Sequence, residues 1–423
     1  MARHTLNRVL RRSALTVALG LSFSSTLYAQ SSTGSLYGQA EPGQVVLVEN
    51  AATGFRREVP VSSEGTFRLS SLSPGTYRVG LRDGSNTSTV NVNVGTGTPV
   101  NLTARASSGT TDLEGVVVRG VATINPIDVS SVESTTVLTA EQIARVPVAR
   151  DATSVALLAP GTVRGDSAFG NLASFGGSSV AENQYYVNGF NITNSFKSLN
   201  FSKIPFEALA EQQVKTGGYG AEFGRSLGGV VNQVTKRGTN VFQAGANVFW
   251  EPASLASPPR NTYYANPLTG EFGTLRSDNS KDETDKWVTT AWAGGALVQD
   301  KLFAFATVSY GETQADAWGS VLSNQNTRTD TDDPIWLVKL DWNINEQHTL
   351  EFTAFSDKSE TEQVAYSNNL GVLNREDVIG TFFSETGGEN YIFNYTGYLT
   401  DSFNLSALYG RSTFTRSQYL MYP

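Results

Sequence analysis

The sequence predicts a mainly β protein: a leader, a small β-sandwich, an α+β domain and the start of a transmembrane antiparallel β-barrel. Three observations predict it. Charged residues make up 17%, where about a quarter is usual, while aromatics reach 10% and glycine accounts for 40 of 423 residues, a strand-rich composition. Short runs separated by turn signals fill the N-terminal part. From Val241 onward, longer runs alternate apolar and polar residues, and their connections are long and short in turn.

Residues 1–29 read as a secretory signal peptide. Arg3, Arg8, Arg11 and Arg12 form a basic start, Ser13–Phe23 an apolar stretch, and Ala29 a small residue before the expected cut. No apolar run of about 18 residues follows. A membrane location for the mature chain therefore demands a closed barrel, because only helices and barrels satisfy their backbone groups in lipid.

Composition excludes several chemistries. There is no cysteine, and His4 and His348 are the two histidines. Thiol nucleophiles, disulfides, zinc thiolates and multi-histidine sites are ruled out. The net charge of −8 argues against nucleic acid as a partner. No catalytic, cofactor-binding or metal site is expected.

In residues 30–105, runs at Gln44–Glu49, Phe55–Val61, Thr66–Leu72, Tyr77–Arg82, Thr87–Val94 and Val100–Ala104 are divided by Ala51–Gly54, Ser73–Gly75 and Gly95–Gly97. This spacing predicts a sandwich of about seven strands. The run Glu64–Val79, EGTFRLSSLSPGTYRV, resembles the carboxypeptidase regulatory-like domain, which implies a transthyretin-like or starch-binding-like fold. The segment has no tryptophan, so a structural or docking role is favoured over sugar binding.

Residues 106–120 begin as a soft Ser/Gly/Thr linker. Asp112, Leu113, Glu114, Gly115, Val116, Val117 and Val118 follow, an acidic start and a β-branched run. Such a peptide is ready to add itself to the edge of a partner's sheet. It resembles a TonB box, which implies the periplasmic domain of TonB as partner.

Residues 121–240 carry helix signals and then strands. Thr139 and Gln142 form a capping box for a helix to about Val146, and Asp151 caps Ala152–Leu158. Val187–Phe190 reads as a strand meeting a type I′ turn at Asn188 and Gly189. Strands are expected at Glu211–Thr216 and Val230–Lys236. The stretch Gly217–Asn240 holds seven glycines in 24 residues, with Glu222 and Arg225 among them. In this order, the helix pair, YYVNGF and GGYGAEFGRSLGGVVNQVTK resemble the plug domain of TonB-dependent outer-membrane receptors, in their Oar-like branch. The resemblance implies that Gly217, Gly218, Gly220, Gly224, Gly228 and Gly229 pack against a barrel wall, with Glu222 and Arg225 forming a buried ion pair there. Asn188 stands where that family often has aspartate.

In residues 241–423, seven strands are expected: Val241–Trp250, Trp287–Ala296, Leu302–Tyr310, Pro334–Asn343, His348–Ser356, Asn390–Tyr398 and Phe403–Thr413. Apolar residues face outer-membrane lipid and polar ones face inward. Long outer loops are expected at Glu251–Lys286, Gly311–Asp333 and Asp357–Glu389. Asp278, Asp282, Glu283, Asp285, Asp330, Asp332 and Asp333 are read as loop charge, with Ca²⁺ as the alternative. Plugged barrels use about 22 strands, so the sequence is expected to be the N-terminal part of a longer protein. The resemblance implies a TonB-dependent transporter, not an enzyme, in the outer membrane of a Gram-negative bacterium. Its ligand would be a siderophore, carbohydrate, peptide or larger cargo, bound on outer loops. A surface-binding adhesion protein, or a carbohydrate-binding protein using the sandwich, are the alternatives.

Overall fold

Seven short strands form the N-terminal sandwich: β1 (Gly34–Gln39), β2 (Val45–Asn50), β3 (Phe55–Pro60), β4 (Thr66–Leu72), β5 (Gly75–Leu81), β6 (Ser88–Val92) and β7 (Gly97–Asn101). They make two sheets, β4-β1-β7 and β3-β2-β5-β6. Alternate residues point into one shared core, including Leu36, Val46, Val48, Phe67, Leu69 and Val79. β1 escaped the sequence reading because glycine weakens a strand signal. Gly38 is needed there: a Cβ would lie 1.8 Å from the Val100 carbonyl oxygen of β7. This computed structural model describes residues 32–103 and 133–422, apart from 85, 167–168, 197, 258, 265–272, 320–322, 324, 370–371 and 401–402. The leader and Asp112–Val118 lie outside the described residues.

The second domain opens with β8 (Ser134–Thr139) and a helix, Ala140–Ala144. Thr139 and Gln142 make both bonds of the capping box. Asp151 caps the helix Ala152–Ala156 by accepting from the Ser154 N–H at 2.8 Å. Both helices end about two residues earlier than expected. β9 (Thr162–Arg164), β10 (Ala173–Phe175), β11 (Gln184–Val187), β12 (Phe190–Asn191), β13 (Leu209–Gly217) and β14 (Val230–Thr235) follow. The central sheet runs β12-β11-β14-β13-β8, with β11 and β14 parallel. Asn188 and Gly189 have φ of 48° and 80°, the pair of positive angles that a type I′ turn requires.

The third unit is a ten-stranded antiparallel sheet. It comprises β15 (Gln243–Glu251), then, after a small ribbon of β16 (Thr262–Tyr263) and β17 (Leu275–Ser277), β18 (Glu283–Val298), β19 (Leu302–Ala317), β20 (Gln325–Asn343), β21 (His348–Ser356), β22 (Ser359–Ser367), β23 (Val378–Gly387), β24 (Glu389–Tyr398), β25 (Asn404–Ser412) and β26 (Thr415–Met421). The seven expected strands are all present. Two expected loops are not loops. Gly311–Asp333 is mostly the extended ends of β19 and β20, and Asp357–Glu389 contains the hairpin β22–β23, which pairs with the upper half of β20. The extensions of β19 and β20 are mostly polar, and β23 carries adjacent apolar pairs, Val378-Ile379 and Phe382-Phe383, so these segments lack the alternation that marks a strand from sequence. Their backbones are satisfied across hairpins that water covers. A tilted strand crosses a bilayer in about 9–11 residues. β18, β19 and β20 have 16, 16 and 19, so they stand well clear of it. Glu283, Asp285, Asp330, Asp332 and Asp333 therefore sit on strands rather than in loops.

The sheet curves around the second domain. Its outward face carries exposed Val248, Trp250, Val308, Trp336 and Trp342. Its inward face is not purely polar as expected. Phe305, Leu337, Phe355 and Ile392 point inward and share one core with Val187, Phe201, Val214 and Val231 of the second domain. Protein rather than water covers the wall at this height, so apolar residues are stable there. Gly229 lies inside the second domain, where a Cβ would stand 2.3 Å from the Phe175 ring. Gly229→Ala is expected to cost about 1–3 kcal/mol by overpacking, read as a lower urea midpoint for the second domain.

Candidate functional site

The join between second domain and sheet is the site that the sequence singled out, and its geometry differs from the expectation. Gly228 and Gly229 approach Asn183 and Phe175, residues of their own domain. A Cβ on Gly220 would meet the Glu222 carboxylate, and one on Gly217 would meet nothing within 4 Å. Gly218 serves a positive φ of 71°, and the atom nearest a Cβ on Gly224 is the Ala221 carbonyl oxygen at 3.8 Å. Arg225 is exposed in a left-handed conformation, φ 66°, and Glu222 is half-buried. A wall-buried Glu222–Arg225 pair is thus corrected: this part of the stretch turns within its own domain. The wall contacts lie farther along. A Cβ on Gly238 would strike the carbonyl oxygens of Ala304 and Gly295 at 2.5 and 2.6 Å. From the wall side, Gly410 leaves room for the Phe190 ring, 2.4 Å from where its Cβ would be.

The buried ion cluster is built on Arg237. Its Nη2 lies 3.2 Å from Asp341 Oδ1. Lys339 Nζ stands 3.7 Å from Asp341 and 3.4 Å from Glu351. Strand alternation puts Lys339 and Asp341 on the inward face of β20, and pairing places Glu351 opposite Asp341 on β21. Two wall carboxylates and one wall lysine are thus balanced by one arginine from the second domain. Alternation along Pro334–Asn343 puts Lys339 and Asp341 opposite Trp336, Val338, Leu340 and Trp342, but it does not name their partner. The signal available was Arg237 at the end of an apolar strand, before the tight Gly238.

Asn188 makes a second wall contact. Its Nδ2 donates to Thr235 Oγ1 at 2.9 Å and to Thr353 Oγ1 of the wall at 3.0 Å, while its Oδ1 accepts from the Thr235 N–H. An aspartate could accept here but could not donate, so asparagine suits a polar bridge rather than a charge.

On the side away from the sandwich, a cavity of about 1950 Å³ separates the second domain from the upper wall. Arg150 lies at its floor, 4.5 Å from the Phe206 ring centroid and 4.1 Å from that of Phe249. It pairs with Glu207, which also accepts from Asn247 of the wall at 2.7 Å. Lys286, Asp333 and Arg225 also line the space. The lining mixes both signs of charge with aromatic and amide groups, which suits a polar ligand of some size. Among the described residues, no group of three His, Cys, Asp or Glu side chains could hold a metal ion. His348 Nδ1 is engaged with Tyr395 Oη at 2.7 Å.

A buried carboxyl of the second domain is perturbed. Glu211 on β13 is pushed from 4.5 up to about 7, chiefly by burial, against the opposing effect of the Val94 N–H that it accepts at 2.9 Å.

A scan of protein families matches residues 127–230 to the TonB-dependent receptor plug domain. The chain is 29% identical over 320 residues to the TonB-dependent transporter Oar of Myxococcus xanthus, a match covering 71% of this chain and 29% of that protein. Similar solved structures include the ferric enterobactin receptor PfeA of Pseudomonas aeruginosa, with TM-score 0.44, 15% identity and coverage of 67% of this chain and 41% of that one. Another is the siderophore receptor PirA of Acinetobacter baumannii, with TM-score 0.41, 18% identity and coverage of 69% and 44%. The chain thus spans under a third of its curated relative and under half of these structures.

Arg237→Met is expected to cost about 3–5 kcal/mol, because it strands a buried carboxylate. Arg225→Ala, exposed, should stay within about 0.5 kcal/mol. Urea titration of the purified protein separates the two. The raised Glu211 value means that the folded state holds its proton more tightly than the unfolded one. Its contribution is full below about pH 4.5 and is lost as pH climbs towards 7. That span corresponds to roughly 3 kcal/mol at about 1.4 kcal/mol per pH unit. Glu211→Gln should flatten this part of the stability–pH curve, and an unchanged slope would refute the assignment.

Proposed function

We propose that this chain, a TonB-dependent receptor of the Gram-negative outer membrane, is the plug-bearing part of an active transporter. The observation that carries the reading is the seating of the plug. It is held to the inner wall by a polar cluster and a shared core, and a large cavity opens above it. A plug held this way stays docked without energy input, yet apart from the chain link into β15 its hold on the wall is noncovalent. The ligand enters the cavity from the side of the long strand extensions and meets Arg150, Phe206 and Phe249. The periplasmic domain of TonB takes Asp112–Val118 as an added strand, and the pull is passed to the plug through β8, which follows the segment in the chain. The ligand is a siderophore, carbohydrate, peptide or larger cargo. Mixed charge around the cavity fits a polar ligand better than a strongly single-signed one. The N-terminal sandwich is read as a regulatory-like domain with a docking role.

Strand addition requires backbone N–H groups, and proline has none. Val117→Pro is expected to abolish capture of the purified TonB periplasmic domain by the full-length receptor, while Val117→Thr keeps it. Equal capture by both variants would refute the role given to this segment.

A further inference from the structure

The sandwich is seated on the same end of the sheet as the short turns, and its contacts reach both plug and wall. The Asn240 backbone N–H donates to the Ala52 carbonyl at 2.8 Å, and Asn343 Nδ2 donates to the Thr53 carbonyl at 3.0 Å. Tyr398 of β24 inserts its ring into the core of the sandwich. Its hydroxyl donates to the carbonyls of Ser70 and Ser71, each at 3.0 Å, and the Arg57 guanidinium lies 4.2 Å from its ring centroid. Asn404 Nδ2 donates to Ser71 Oγ at 3.0 Å. On the plug side, Val94 is held by both its backbone groups, to Glu211 and to Gln213 Nε2.

One contact falls on the ion cluster itself. Ser73, in the turn between β4 and β5, donates from Oγ to Glu351 Oε1 at 3.2 Å. Ser73 and Pro74, with Ser32, cover a space of about 60 Å³ whose far side is Arg237, Lys339 and Glu351. The sandwich therefore stands between the cluster and bulk water.

The character of the interface points to release. Apart from the Tyr398 ring and the buried pairing of Val94 with Glu211 and Gln213, the contacts above are single hydrogen bonds, most of them to exposed or half-buried turns. Polar interfaces of this kind between domains of one chain ordinarily permit relative motion. Ser71 and Asp300 meet the partner surface in left-handed conformations, φ 62° and 60°, with Asp300 packed on Gly54. Strained non-glycine residues of this kind cluster where contacts are made and broken.

We propose that the N-terminal sandwich is a releasable seal on the Arg237–Asp341–Lys339–Glu351 cluster: docked, it keeps water out and the plug locked to the wall; lifted, it admits water and loosens the lock. The purpose of the seal rests on the transporter reading; its physics does not. Attraction between charges varies inversely with local dielectric, about 20 near a protein surface and 80 in water, so wetting weakens each pair about fourfold. The sandwich precedes Asp112–Val118 in the chain and the plug follows it, so the pulled segment lies between seal and lock.

The protein has no cysteine, so Ser71→Cys with Asn404→Cys introduces a single possible disulfide across the seal. In the full-length protein in detergent, amide exchange at residues 236–240 is read with the bridge oxidised and reduced. A second variant, Asn343→Ala with Asn404→Ala, loosens the seal from the wall side without touching cluster or plug. Bridging should slow exchange about tenfold or more, and loosening should speed it by a similar factor. If loosening leaves exchange at 236–240 unchanged, the seal is refuted, whether or not the bridge forms. TonB capture is a separate measurement. Failure of capture with responsive exchange removes the transporter reading and keeps the seal; capture with unresponsive exchange does the reverse.

Discussion

The inward face of β20 and β21 carries Asp341, Lys339 and Glu351, and the wall alone leaves them one positive charge short. A buried carboxylate without a partner costs several kcal/mol, so the wall needs a cation from outside itself. Arg237 supplies it from the end of the plug's last strand. The rest of the architecture follows from that demand. β14 must end at the wall, Gly238 must let the backbone lie against Gly295 and Ala304, and the chain must then turn directly into β15. A guanidinium serves better than an ammonium here, because it is less strongly hydrated and keeps its charge when buried.

Polar and apolar contributions divide the work at this join. Phe305, Leu337, Phe355 and Ile392 give the plug a nondirectional hold on the wall, which any well-shaped apolar surface would provide. The ion cluster and the Asn188–Thr353 bond set register, because they tolerate little displacement. A plug held by apolar area alone could slide; one held by charges alone would carry their desolvation cost without compensation. The combination keeps one seated position while leaving the hold divisible into small polar steps.

Much of the fold was legible because its signals are local. The capping box at Thr139 and Gln142, the cap at Asp151 and the positive-φ turn at Asn188 and Gly189 each depend on residues within four positions, and each stands as read. The spanning strands were legible because lipid on one side and protein on the other impose alternation. The extensions of β19 and β20 and the hairpin β22–β23 were not, since the first are mostly polar and β23 places its apolar residues in adjacent pairs rather than in alternation. The site was half legible. Glycine density drew attention to Gly217–Gly229, but density reports tight turning, not which surface is approached. The wall contacts, Arg237 and Gly238, are fixed by residues some 60 to 110 positions away, and the local hint, an arginine closing an apolar strand before a glycine, does not name the surface it meets.

The placement of the sandwich adds a constraint that plug and wall do not need for their own stability. Asn240, Asn343 and Asn404 are amides that water could satisfy if the sandwich were absent, whereas the Tyr398 ring, Glu211 and Gln213 are buried where it docks. The amide contacts thus add little to docking, and the Tyr398 ring with the Val94–Glu211 pairing carries most of the hold. Ser73 differs from both, because it touches a group whose environment controls the lock. A contact that changes the dielectric around a charge cluster can govern that cluster without itself supplying the cluster's strength.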